Sequence, residues 1–267
     1  MEDFALNPLT VAGAWLQTFL LVFLRVGGVF LRAPLLGSNL FPANVRIWLS
    51  FFCALVMFPA QLEQHGSVLL TQSTGVFFVA CLAELSLGIL IGFCAQMLLF
   101  GLMMAGHIVD TELSFSMAQL LDPTTQETSS LVSQLLFLGG TVLFLALDGH
   151  HAALHALRFS FDRIPLFAVN LNDDVLRWVL LELAPQVFVI GVTFAAPVLA
   201  AVLLSTVGLG LVARVVPEMN IFAFAFPVRL GVGFVFLELS VRYMAPVADR
   251  LVQGTLAHLA QLLARAA

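Results

Sequence analysis

Apolar residues in this chain come in long runs, not in the three-and-four spacing of a surface helix or the alternation of a half-buried strand, and the runs define the elements. The first, Leu9 to Leu36, is interrupted by Arg25, Gly27 and Gly28 and closes around Arg32 and Pro34. It is long enough to cross a bilayer once. Pro42 marks a helix start, leading into a shorter run, Ile47 to Phe58, that is expected to stop at Pro59. A polar loop, Gln61 to Ser73, precedes Gly75 to Gly106, where the apolar character is almost unbroken. As a straight helix that stretch would be roughly 48 Å long, against a hydrocarbon core of about 30 Å. It is therefore expected to bend at its glycines or to leave the bilayer into other protein. Leu131 to Leu147 is a fourth run, and the more polar Arg158 to Asp174 divides the chain. Beyond it, Arg177 to Val216 is broken by Pro185 and Pro197, and Ile221 to Val247 holds Pro227 and leads into a mildly amphipathic tail. The pattern predicts an all-α, multi-helix integral membrane protein with long kinked helical hairpins.

One stretch fits neither the runs nor an ordinary loop. Ala105 to Pro123 carries His107, Asp110, Glu112 and Asp122 and no basic residue, yet sets Leu113, Phe115, Met117, Leu120 and Leu121 among them. An interfacial helix on anionic lipid would place Lys or Arg on its polar face. Bulky, flexible side chains beside Ser114 and Ser116 suit a constriction that seals and then deforms. Both an interfacial helix and a channel seal are open readings from the residues alone.

Composition supports the membrane class: 61% of residues are hydrophobic, 10% are charged and the mean hydropathy is +1.04, whereas soluble domains carry about 25% charge. The acidic start Met1-Glu2-Asp3 lacks the basic flank of a secretory signal, so no cleaved leader is expected. All 11 basic residues are Arg, and no basic cluster marks a nucleic-acid partner. The two connections on either side of Gly75 to Gly106 contain no Arg, and the second holds four acids. A simple alternating topology would bias Arg to every second loop. Either some runs are re-entrant or the helices are not all solvated by lipid. Cys53, Cys81 and Cys94 are scattered in apolar sequence, which makes them packing residues, not a disulfide or metal framework.

Ions inside apolar runs need partners, because an unpaired one costs about 2.5 kcal/mol or more. Arg25, Glu84, Glu182, Arg229, Glu238 and Arg242 are in that position. Glu238 and Arg242 stand four apart in the favourable order along a helix, while Glu84 requires an Arg from elsewhere; pairing and a proton or substrate relay are the two readings. Gly88 and Gly92 form a small-xxx-small element for close helix approach, with no partner helix assigned. His151 and His155 have a metal-compatible spacing, but Ala152 stands where a zinc protease carries its Glu, so no metal is assigned. With Asp148 and His150 they read as a cluster at the head of a helix. No nucleophile triad or phosphate-binding loop is present, and neither an enzyme activity nor a cofactor is expected.

The run Asp110 to Pro123, then Phe144 to Leu166 with its Asp148-Gly149-His150-His151, then Ala213 to Phe234 with Pro217-Glu218-Met219-Asn220-Ile221-Phe222, resembles the FliR family of flagellar export-gate proteins. Ala33 to Ile47 is similar to that family's opening signature, so the likeness covers nearly the whole chain in order. The chain departs from the pattern at Asp148, where Asn is commoner, and at Asn44, where Arg or Lys is expected. The resemblance implies a non-enzymatic subunit of the type III export apparatus that assembles with FliP and FliQ subunits, beside an FlhB-like subunit, into a helical hetero-oligomeric gate for unfolded flagellar proteins. It further implies a FliP-like part (1–157) that includes a plug segment (106–123), a polar divide (158–174) and a FliQ-like part (175–267). The plug would seal through Leu113 to Leu121, chiefly Phe115 and Met117. Related injectisome subunits share the fold, and a proton-coupled secondary transporter is a reading of a different class, motivated by Glu84, Glu182 and the Pro-broken helices.

Overall fold

In the computed structural model, the described residues are 8–34, 42–65, 74–113, 130–169, 173–216 and 224–242, with positions 254 and 261. They contain helices and no strand. We number the helices α1 (Pro8–Arg32), α2 (Ala43–His65), α3 (Thr74–Glu112), α4 (Leu131–Ala146), α5 (Gly149–Arg163), α6 (Asp173–Val215) and α7 (Phe224–Arg242). Five of them, α1, α2, α3, α6 and α7, are long and apolar enough to cross a membrane, and α4 with α5 makes a sixth candidate as one bent pair. Phe115, Met117, Leu120, Leu121 and the tail after Arg242, apart from those two positions, lie outside the described residues.

Two compact units divide the chain: residues 1–96, 148–183 and 253–267, and residues 97–147 and 184–252. In the first, α1 and α2 form an antiparallel hairpin joined by rings. Phe19 meets Phe51 edge-on at 5.3 Å and Phe58 at 5.8 Å, and Phe23 meets Phe51 at 6.5 Å. Such pairs add to area burial by about 0.5–1.5 kcal/mol each. The expected stop at Pro59 is overturned, since Pro59 lies inside α2, which runs on to His65. Proline removes one backbone donor. That single loss is outweighed because the helix is held on both sides, by Phe58 against Phe19 and by the buried Gln61 beyond.

The second unit packs α4, α6 and α7 around the C-terminal part of α3. Its core is Leu98, Leu99, Leu102, Ala105, Val109 and Leu113 of α3 and the turn after it, with Val132 and Leu136 of α4, Phe194 and Val198 of α6, and Leu237 of α7 among its partners. Helix α3 runs through Gly88, Gly92, Gly101 and Gly106 unbroken for 39 residues, about 58 Å. The glycines where a bend is expected do not interrupt the helix. Those glycines are contact points instead, and the first eight residues of the acidic stretch, Ala105 to Glu112, are the end of this helix. Pro185 is accommodated by a π-helical turn, Val179–Leu183, ahead of the regular helix that continues past Pro197. A π turn re-spaces the carbonyl that a proline ring would otherwise strike and whose donor it lacks.

Candidate functional site

The most constrained polar site is in the first unit, at Arg25. Its side chain and that of Glu84 are both fully buried, with Nε 2.5 Å from Glu84 Oε2. Through Nη1 the same guanidinium donates to the carbonyl oxygens of Ser160 (3.1 Å) and Ile164 (3.0 Å), and it lies 4.4 Å from the centroid of the Phe161 ring. One side chain on α1 therefore holds α3 by charge and the end of α5 by hydrogen bonds and cation–π contact. Arginine suits this role because its planar fork offers several fixed donors and stays ionised when desolvated. The C-terminal carbonyls of α5 present the negative end of its dipole, which favours a cation there.

Close backbone approach makes the pair reachable. A Cβ on Gly88 would collide with the carbonyl of Arg25, and one on Gly28 would lie 2.6 Å from the carbonyl of Leu85. Gly92 meets Val29 and Arg32 in the same way. The small-residue element of α3 thus takes α1 as its partner, in parallel, and that contact sets Arg25 opposite Glu84. Sequence reasoning names Gly28 only as an interruption of the first run and does not name Ser160, Phe161 or Ile164. Two main-chain carbonyls carry no side-chain signal, although a polar stretch ending in Arg163 before Pro165 marks a helix end.

Other charges of the apolar runs are placed differently. Glu238 and Arg242 pair along α7 at 3.2 Å with both side chains exposed. Glu182 is exposed within the π turn of α6, and Arg229 is half-buried on α7, its Nε without a partner among the described residues. The structure brings Arg25 and Glu84 together in the first unit, and Glu238 with Arg242 in the second.

In the second unit the root of the acidic stretch is fixed by packing. Leu113 is fully buried, and a Cβ on Gly233 of α7 would run into its side chain. Ser133 Oγ donates to the Met103 carbonyl at 2.7 Å and lies over Gly106, binding α4 to the same end of α3. Asp110 is 5% exposed, and its Oδ1 has no partner among the described residues.

Several bilayer-length apolar helices, a buried ion pair between two of them and an apolar core define an all-α, multi-pass membrane protein. The family described as "Bacterial export proteins, family 1" matches residues 16–255. Flagellar biosynthetic protein FliR of Bacillus subtilis is 28% identical over 248 residues, 92% of this chain and 94% of that protein. FliR of Caulobacter vibrioides is 31% identical over 228 residues, 85% and 89% of the two chains, and FliR of Escherichia coli is 25% identical over 240 residues, 89% of each. The chain belongs to the FliR family of bacterial export proteins. It is a multi-pass protein of the bacterial cytoplasmic membrane.

Proposed function

We propose that the chain is a non-enzymatic subunit of the flagellar type III export gate. With FliP-like and FliQ-like subunits, and an FlhB-like subunit beside them, it forms the entry pore for unfolded flagellar proteins. The observation that carries this reading is the family match across residues 16–255, joined by relatives of near-equal length that all bear flagellar names. Residues 1–157 act as a FliP-like part and 175–267 as a FliQ-like part on either side of the polar divide at 158–174. The segment from Leu113 to Leu121 is the plug: Leu113 roots it in the core of the second unit, and Phe115 and Met117 seal the channel.

Surface chemistry is in keeping with a subunit that needs covering. Leu203, Leu204, Val207, Leu211 and Val215 of α6 are all exposed, along a helix with apolar residues on every face. Contiguous apolar surface of this kind requires lipid or other protein. Deleting the chain in its own bacterium is expected to abolish secretion of flagellar subunits, and the tagged chain is expected to purify with several other small apolar membrane proteins. A chain that purifies as a monomer and moves a small solute into vesicles would overturn the reading in favour of a transporter.

A further inference from the structure

We propose that Asp148, His150 and His151 form a binding site for a divalent zinc-type ion at the start of α5. Asp148 stands at the N-cap of α5 in the left-handed region, φ 55° and ψ 27°, and its side chain makes no capping hydrogen bond. An Asp in that place ordinarily accepts from the first backbone N–H groups. Here its Oδ1 faces His151 Nδ1 at 3.1 Å, and the His150 ring lies beside that of His151 with centroids 4.2 Å apart. One donor atom from each of the three residues falls within 4.8 Å of the other two.

Two atoms bound to one tetrahedral zinc at about 2.1 Å are themselves about 3.4 Å apart. The Asp148–His151 pair already has nearly that span, and His150, whose donor atom lies within 4.8 Å of both, would close in to complete a three-ligand set. Two imidazoles and a carboxylate suit Zn²⁺, with Ni²⁺ and Cu²⁺ as competitors. All three side chains are exposed, which leaves the fourth position open to water. On binding, the metal takes the place of the hydrogen between His151 and Asp148: Nδ1 donates its lone pair to the ion and the neutral ring carries its proton on Nε2. The positive end of the α5 dipole opposes a cation weakly at an exposed site, a small cost beside three coordination bonds. His155, one turn further on, lines an apolar groove together with His151 and with Phe52, Cys53, Val56 and Met57 of α2, and it is not among the three clustered residues.

The test is calorimetric titration of the full chain in detergent micelles with Zn²⁺, the protein carrying no polyhistidine tag and stripped beforehand by a chelator. One equivalent is expected to bind. His150→Ala and His151→Ala each weaken binding by about tenfold or more, and Asp148→Asn, which keeps a residue tolerant of left-handed backbone, weakens it less. His107→Ala and His155→Ala leave it unchanged. Zn²⁺ also raises the unfolding temperature of the unaltered chain but not that of His151→Ala. Equal affinity in the His150→Ala/His151→Ala double variant, dependence on His107 or His155, or no saturable binding beyond that of empty micelles would each overturn the proposal and leave a helix-start hydrogen bond between Asp148 and His151.

Discussion

The two compact units use polar groups in different ways. In the first, a full ion pair is buried between α1 and α3, and its Arg also binds two carbonyls at the end of α5. In the second, the core is apolar and, Phe194 apart, aliphatic, and its buried polar groups among the described residues are Asp110 and hydroxyls that return to helix carbonyls, as Ser133 does to Met103 and Thr141 to Phe137. A buried charge pair tolerates one register and penalises every other, since a shift of one helical turn would leave a desolvated ion unpaired. Aliphatic contacts and hydroxyls bound to a neighbouring carbonyl tolerate small displacements at far lower cost. Under the proposed function the first unit is therefore the fixed frame, and the second, which holds Leu113 at the root of the plug segment, is the more yielding seat.

Breaking one partner of the buried pair should produce the largest loss. Arg25→Ala or Glu84→Ala leaves an uncompensated charge and costs about 3–5 kcal/mol, whereas Arg25→Met with Glu84→Leu recovers more than half of it, because apolar replacement of a buried pair is close to neutral. Denaturant unfolding of the purified protein reads the difference; a double variant no better than the singles contradicts the clamp. In the second unit Leu102→Ala, at a fully buried site against Gly140, is expected to cost about 3 kcal/mol in the same measurement through the cavity it leaves. Gly88→Ala drives a methyl into the Arg25 carbonyl and should cost about 2 kcal/mol, even though alanine favours helix. If it stabilises instead, α1 and α3 are not in close contact. The smallest effect belongs to Ser133→Ala, about 1 kcal/mol for one hydrogen bond to a carbonyl that its own helix also engages.

Much of the helical layout is legible in the sequence, because bilayer-length apolar runs admit few alternatives in lipid. Arg25 and Glu84 announce that they need partners simply by being ions in apolar sequence. Their pairing is not legible. They are 59 residues apart, the sequence says only that Glu84 requires an Arg from elsewhere, and the approach of α1 to α3 at Gly28 and Gly88 decides which one. The carbonyls of Ser160 and Ile164 have no residue-type signature at all. Pro59 and Pro185 mislead for a related reason: the missing donor is a local cost of one bond, and tertiary packing in α2 or a π turn in α6 absorbs it. The acidic stretch looks like one object in the sequence, yet the end of α3 takes its first eight residues, since Ala105, Val109 and Leu113 continue the buried face of that helix.

The most direct test of the proposed gate is ion leakage across the membrane of cells that express the complete set of gate subunits with Phe115→Gly and Met117→Gly in this chain. The account predicts a clear rise in leakage over cells with the unaltered chain, with the gate still assembled, because glycine removes the side chains proposed to close the pore. Leakage unchanged in an assembled gate would contradict the plug and leave Leu113 as a core residue only.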